Sequence, residues 1–421
     1  MNWGTIPKKS APRPVPFKHF FRTSEARQLF WSYDLQTAHE ISAPDGKYQV
    51  LEPCVRWRMS GATTSLKQLS SPHPNAPSNQ GREGYSVLSP KELPKEWDQF
   101  VENHTRGSVF HLSDMANVYE TVPGYRSQFI AAKCNHSDQI LALLPSVRIE
   151  TVRGLASRLA SRTIWYSEPL LSESADPKVA QQALSDLIKI HDRQNSWSTL
   201  FTEVRPLLSP GSEREVLEKA GYQFLDYLNY VVNCDRSAEQ HLASLSKSTR
   251  QKLRRSFKRG CEVELQNSHE GVRRMYPLVK SSYSRSRVPL APIELFHAAV
   301  DQLPAEYLQI RIATYQGRDV GAGIGLTYKD RFYAWYGGSY RDLDVLPFYC
   351  LTWKEIEWCC QHKMLYDFGG AGWPDESYGP REFKKKFGGE LCHFGRYRKT
   401  HSKARLMLAE SGYAVLRRLF R

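Results

Sequence analysis

The segment Arg381-Glu382-Phe383-Lys384-Lys385-Lys386-Phe387 sets two phenylalanines four residues apart, with three lysines between them. On a helix, Phe383 and Phe387 share a face and anchor the segment to a core, so one of the lysines can be held inward. A cation fixed in that way stabilises the oxyanion that forms when an amine attacks a carbonyl. Ahead of it, Met364-Leu365-Tyr366-Asp367-Phe368-Gly369-Gly370-Ala371 reads as a buried strand ending in Asp and glycines. Asp367 can serve there as a base or orienting carboxylate, or cap a turn.

Two further stretches are suited to holding a substrate. Lys247 to Gly260 carries seven cations and no acid in fourteen residues. A helix aligns Arg250, Arg254 and Lys258 in one stripe while Leu253 and Phe257 face inward. Such a stripe clamps phosphate oxygens, or is a solvated helix face. Phe332 to Tyr340 is an aromatic strand running into Gly337-Gly338-Ser339. It builds core, or its glycines let a ligand approach the backbone. The helix expected from Pro347 to Lys363, following a strand that splays, would turn free N–H groups toward an anion. Tyr336, Ser339 and Arg381 join Arg250, Arg254 and Lys258 as candidate substrate-binding residues.

The elements that position these groups follow from periodicity. Residues 1–85 are broken by Pro7, Pro12, Pro14 and Pro16 and by a Ser/Pro run at 70–78, and read as an irregular extension and linker with a short helix at 24–34. From Leu93 the pattern predicts helices at 93–101 and 112–120, then a hairpin of Arg126–Lys133 and Gln139–Arg148 around Asn135-His136-Ser137-Asp138. A helix at 176–194 starts on Asp176-Pro177, a cap followed by a first-turn proline. Strand 198–204, helix 212–220 and strand 222–232 complete a mixed α/β unit. A second unit repeats that order: helix 248–259, strand 262–266, helices within 271–284 and 292–302, and strands 307–315 and 320–328. Each unit closes on a helix, a Lys and a Gly before a strand, at Lys219-Ala220-Gly221 and Lys386-Phe387-Gly388. A glycine there suits a left-handed helix end.

A chain of 421 residues exceeds one ordinary core and implies two or three domains. Its 41% hydrophobic and 24% charged content excludes a disordered or fibrous chain. No run approaches a membrane span, and Met1 to Pro16 lacks the apolar core of a secretory signal, so the expected location is cytoplasmic. The net charge of +14 attracts phosphates, nucleic acid or the anionic inner face of a membrane. Eight cysteines without a C-x-x-C pair read as reduced structural thiols, and no metal site is expected.

In order, the basic helix before a strand, the aromatic strand ending Gly-Gly-Ser, the helix with Trp353-x-x-Ile356, Tyr366-Asp367-Phe368-Gly369-Gly370 and Phe383-Lys384-Lys385-Lys386-Phe387-Gly388-Gly389 resemble the FemAB-like (peptidoglycan-bridge aminoacyltransferase) branch of the GNAT acyltransferase superfamily. The resemblance covers about residues 95–405, with an echo in Gly107-Ser108-Val109-Phe110-His111. It implies an α/β (mixed α+β) fold of two GNAT-like domains in tandem, each with a central mixed sheet. Their expected bounds are 86–235 and 236–421, the second catalytic. The resemblance further implies that Lys384, with Phe383, holds the tetrahedral oxyanion, and that Arg250 and Arg254 lie where phosphates bind. The implied reaction passes an aminoacyl or other acyl group to an amine or hydroxyl of a phosphorylated, nucleotide- or lipid-linked cell-envelope precursor, with no tightly bound cofactor. The donor stays open between aminoacyl-tRNA and acyl-CoA: no long helical hairpin is inserted in the second unit, and Ser339 to Leu346 lacks the glycines of a pyrophosphate loop. The competing readings are an acetyl-CoA-dependent N-acetyltransferase and a non-catalytic basic nucleic-acid-binding protein.

Overall fold

The computed structural model describes residues 84–150, 154–286, 288–409 and 411. The expected extension, with its helix at 24–34, lies outside them apart from its last two residues. In chain order the first part comprises β1 (Tyr85–Leu88), α1 (Pro94–Asn103), α2 (Ser113–Thr121), β2 (Tyr125–Ser127), β3 (Ile130–Cys134), β4 (Ile140–Leu144), β5 (Ser146–Ile149), β6 (Arg162–Trp165), β7 (Leu170–Leu171), α3 (Pro177–Asn195), β8 (Phe201–Val204), α4 (Glu213–Lys219) and β9 (Gln223–Leu225). The second comprises β10 (Leu228–Asn233), α5 (Ala238–Ser244), α6 (Lys247–Lys258), β11 (Glu262–Leu265), α7 (His269–Arg285), α8 (Ile293–Gln302), β12 (Leu308–Tyr315), β13 (Arg318–Tyr328), β14 (Arg331–Ser339), α9 (Pro347–His362), β15 (Leu365–Gly372), α10 (Gly379–Lys385), β16 (Glu390–Cys392) and β17 (Arg396–Thr400).

The expected hairpin forms, but each arm is bent into two strands. β3 pairs β4 and β2 pairs β5, so the same two arms run from a four-stranded sheet, β1-β3-β4-β7, into a six-stranded one, β2-β5-β6-β8-β17-β9. Pro145 sits at one bend, where it has no N–H to give to a ladder. The second unit has one seven-stranded mixed sheet, β11-β12-β13-β14-β15-β10-β16. Asp176 caps α3 as its position predicts, accepting from the amides of Lys178 and Val179. Gly221 and Gly388 both take positive φ at the ends of the two Lys-Gly segments.

Strands cross the boundary expected at 235/236. The stretch read as one strand at 222–232 divides at Asp226-Tyr227: β9 stays in the first unit's sheet and β10 joins the second, between β15 and β16. In return β17 leaves the second unit and inserts between β8 and β9. A single apolar cluster runs from Trp97, Phe110 and Tyr119 into Phe296, Ile310 and Ile324, so the two units share core. Lys329, in the turn after β13, donates to the carbonyls of Val101 at 3.0 Å and His104 at 2.7 Å, which ties the C-terminal end of α1 to the second unit.

Helix α9 lies close on the second sheet because β13 alternates Gly321, Gly323 and Gly325. Pro347 and Leu351 sit over Gly321, the Glu355 carboxyl over Gly323, and the Phe332 ring over Gly325. Four helical residues rise about 6 Å and two strand residues about 6.7 Å, so successive turns of α9 stay in step with alternate residues of β13. A Cβ on Gly325 would stand 2.0 Å from the Phe332 ring, which is itself fully buried. Gly325→Ala should therefore destabilise the fold by about 1–3 kcal/mol through overpacking, seen as a lower urea midpoint; an unshifted midpoint would mean that this contact has room to spare.

Candidate functional site

The site forms where two parallel strands part. β14 pairs β15 only from Arg331–Tyr333 against Leu365–Asp367. Beyond that point β14 follows β13 to Ser339, while β15 follows β10 to Gly372. Carbonyls of β15 at the splay meet side chains of α10 in place of a strand. The Lys384 ammonium donates to the carbonyls of Gly370 at 2.7 Å, Phe368 at 2.8 Å and Gly369 at 3.4 Å. Arg381 donates through Nε to the Ala371 carbonyl at 2.8 Å, and its two Nη atoms reach those of Trp373 and Pro374. The phenylalanine anchoring holds: Phe387 is fully buried, and the half-buried Phe383 ring lies 5.1–5.3 Å from Phe348, Tyr349 and Phe387.

Burial lowers the Lys384 pKa to about 8, against the opposing pull of Asp367. Asp367 is buried and raised by that burial, which Arg331, the Gly369 amide and Lys384 oppose. Its Oδ1 accepts from the Gly369 amide at 2.7 Å, and its Oδ2 pairs with Arg331 Nη1 at 3.3 Å. Gly369 has φ +69, so the carboxylate closes a left-handed turn that aims the 368–370 carbonyls at Lys384. This geometry suits an orienting carboxylate. Arg331, which sequence reading missed, also donates to the Leu207 carbonyl of the first unit at 3.2 Å.

Lys384, Phe383, Asp367 and Arg381 are thus brought together, and the other candidates stand apart. Tyr336 lies on the β14 side among Phe296 at 5.0 Å, Trp335 at 5.3 Å and Tyr283 at 5.8 Å; burial, then the neighbouring Tyr166 and Tyr125, hold its hydroxyl protonated. Ser339 is clasped through its backbone: its amide donates to Ser282 Oγ at 2.9 Å, and its carbonyl accepts from Ser282 Oγ and Arg285. The basic stripe is divided. Arg250 Nη1 donates to the carbonyls of Ala243 at 2.8 Å and Leu245 at 2.5 Å, where it closes the end of α5. Arg254 and Lys258 are exposed. A shallow depression of about 300 Å³ separates the start of α6 from α10, lined by Ser244 to Ser246, Glu382, Lys385, Lys386 and Gly388. Of the three consecutive lysines, then, one points at β15 and two at this depression.

The first unit carries a buried ion cluster that reaches the ring packed on Gly370. Glu203 is buried and held well below the usual carboxylate range by Arg398, Arg396 and Arg205, which outweigh its burial. Arg396 stacks 3.6 Å from the centre of the Tyr227 ring, and a Cβ on Gly370 would come within 2.6 Å of that ring. Arg205 lies over Tyr166 at 5.7 Å. Nothing local marks these residues, because β17 reaches Glu203 across 193 residues of chain. Among the described residues, no group of three or more His, Cys, Asp or Glu is placed to hold a metal ion.

Sequence reading also missed Glu355 on α9, a buried carboxyl that accepts from the Tyr366 hydroxyl at 2.5 Å. Burial raises it to about 7, against the opposing effects of Tyr366 and Arg311. The alternation Gly321-x-Gly323-x-Gly325 was the available signal, since a glycine under a helix can leave space for a carboxyl. With a folded pKa above its unfolded one, Glu355 favours folding at low pH, and that contribution fades as pH rises through about 7. Glu355→Gln should lack this fade, so its melting temperature should gain on the parent's between about pH 5 and 8 by an amount worth about 1–3 kcal/mol. Parallel melting curves at every pH would contradict the assignment.

Residues 243–385 match the family model of the acetyltransferase (GNAT) domain. The chain is 26% identical over 146 residues to a UDP-N-acetylmuramoylpentapeptide-lysine N(6)-alanyltransferase of Weissella viridescens, across 34% of this chain and 44% of that protein. The matched stretch thus spans less than half the length of that relative. The crystal structure of FemX superposes with a TM-score of 0.57 at 16% identity, over 77% of this chain and 98% of that one. The fold is therefore FemX-like, with the GNAT match confined to the second unit.

Proposed function

We propose that this FemAB-like member of the GNAT superfamily is an acyltransferase that moves an aminoacyl or other acyl group to an amine or hydroxyl of a cell-envelope precursor. The observation that carries the reading is the Lys384 ammonium fixed in the splay between β14 and β15. A carbonyl entering the splay from the β14 side would meet a preorganised cation there. Two of its N–H groups are held by close carbonyls, and the third, whose Gly369 contact is 3.4 Å, is the least committed and can turn to a developing oxyanion. Asp367 and Arg331 keep the turn that presents Lys384 in place.

An aminoacyl donor fits better than acyl-CoA. The loop ahead of α9 carries Asp342 and Asp344, both exposed, where a pyrophosphate would need cations or bare amides. Arg259 already pairs with Asp344 at 3.5 Å. The acceptor reading rests on the alanyltransferase relative. The alternative of a non-catalytic nucleic-acid-binding protein loses Arg250 from its cationic stripe, since that guanidinium is held by carbonyls.

Incubating the purified protein with labelled aminoacyl-tRNA or labelled acyl-CoA, together with UDP-linked or lipid-linked precursors, should move the aminoacyl label. Movement of the CoA-borne label alone would reverse the donor assignment, and movement of neither would dismiss acyl transfer to these acceptors. Lys384→Met should lower turnover by roughly 10- to 1000-fold and cost about 1–3 kcal/mol of stability, because the Phe368 and Gly370 carbonyls lose their donor. Wild-type turnover should fall as pH rises through about 8, where Lys384 loses its proton. Stability should not fall with it: above pH 8 the unfolded chain binds more protons at this group than the folded one, so the lysine's contribution to folding rises with pH. Lys384→Arg should abolish the alkaline limb, and a limb that survives in that variant would assign it to another group.

A further inference from the structure

Among the large hydrophobic side chains described as exposed, the three most exposed are Trp197 at 79%, Leu408 at 60% and Met407 at 59%. Trp197 is distant in sequence from the adjacent Met407 and Leu408, but Arg405 ties the two segments together. Residues 403–409 form a helical segment whose Leu406 and Ala409 are buried in the main apolar cluster. Arg405 on that segment donates through Nη1 to the Trp197 carbonyl at 2.8 Å and through Nη2 to that of Ser196. The clamp fixes the turn after α3 against the segment that carries Met407 and Leu408. The inward positions therefore already have their core, and the outward apolar ones have no such partner among the described residues.

The surroundings are cationic. Arg193, one turn before Trp197, is exposed, as are Arg158 and Lys403. The charge of Arg158 is felt at Arg405, which places it beside the same contact. The nearby Asp192 is taken up by Lys399 at 2.7 Å and by the Tyr222 hydroxyl at 2.8 Å. Beyond the helical segment the sequence continues Glu-Ser-Gly-Tyr-Ala-Val-Leu-Arg-Arg-Leu-Phe-Arg, largely apolar and basic, with three arginines against one acid. An aromatic, two long aliphatic side chains and a ring of arginine and lysine is the composition that settles at the level of lipid headgroups. A protein partner would suit the apolar tips, but the excess positive charge favours a uniformly anionic surface.

We propose that the face bearing Trp197, Met407 and Leu408, with Arg158, Arg193 and Lys403 around it, docks the protein peripherally on an anionic lipid bilayer. The three apolar side chains enter the headgroup region and the cations meet lipid phosphates. No helix among the described residues is long and apolar enough to cross a membrane. This inference is independent of the acyl-transfer reading: it uses none of the residues at the splay and needs no substrate.

The full-length chain should co-float with vesicles of phosphatidylcholine containing about 30 mol% phosphatidylglycerol and bind pure phosphatidylcholine far less. Binding should weaken as salt rises toward 0.5 M or so. The triple variant Trp197→Ser, Met407→Ser, Leu408→Ser should raise the apparent Kd for the anionic vesicles by about tenfold or more. All three positions are exposed, so its melting curve should match the parent's. Brominated lipid should quench the fluorescence of the parent more than that of Trp197→Phe. No vesicle binding by the parent, or equal binding by the triple variant, would overturn the proposal. So would a concentration-dependent dimer abolished by the triple variant, which would give this face to a second copy of the chain.

Discussion

Beyond Tyr333 and Asp367 the neighbouring strands β14 and β15 separate, and the carbonyls of Phe368 to Ala371 are met by the cations of Lys384 and Arg381. Unpaired carbonyls at such a place are costly, and a short helix bearing two cations is the device that removes the cost. Helix α10 has only seven residues and would not persist alone. It stands because Phe383 and Phe387 enter an aromatic cluster on one side while Lys384 and Arg381 bind β15 on the other. Asp367 balances the buried charge and sets the Gly369 turn, and Arg331 carries the same network to Leu207 in the first unit. The splay, the helix and the contact between units are thus parts of one arrangement.

That arrangement explains why the two units cannot be separated at a single residue. β10 pairs with the edge of β15 opposite β14 and holds that strand in the second sheet beyond the splay, so a strand that follows the first unit's sheet in sequence leaves it. β17 takes the vacated place between β8 and β9 and brings Arg396 and Arg398 to Glu203. A buried carboxylate ringed by three arginines is weak evidence of added stability, because desolvation offsets much of the attraction, but it tolerates few other registers. The exchange therefore specifies how the units are joined more than how strongly.

Several of the cations counted in the sequence serve the backbone. Lys329 closes α1, Arg250 closes α5, Lys384 and Arg381 hold β15, and Arg405 holds the turn after α3. A run of cations on a helical stripe looks uniform by composition, yet neighbours in it do different work. Arg250 is drawn to carbonyls while Arg254 and Lys258 face solvent. Lys384 points to the splay while Lys385 and Lys386 line the depression beside α6.

Sequence alone determined what depends on neighbours within a turn or two: the apolar period of α1, α2 and α3, the Asp176 cap, the turn of the 135–138 hairpin, the left-handed glycines at 221 and 388, and the phenylalanine pair flanking Lys384. These are local because side chains three and four apart on a helix, or two apart on a strand, face the same way whatever surrounds them. Tertiary structure alone decided that residues 222–232 serve two sheets, that Arg331 lies beneath Asp367, that Glu355 occupies the space over Gly323, and that Glu203 meets Arg396. Each of these depends on which distant segment lies opposite, and a residue's own neighbours carry no record of that. The inward turn of Lys384 needed both: the phenylalanine spacing set its direction, and only the parting of β14 from β15 supplied the carbonyls that hold it there.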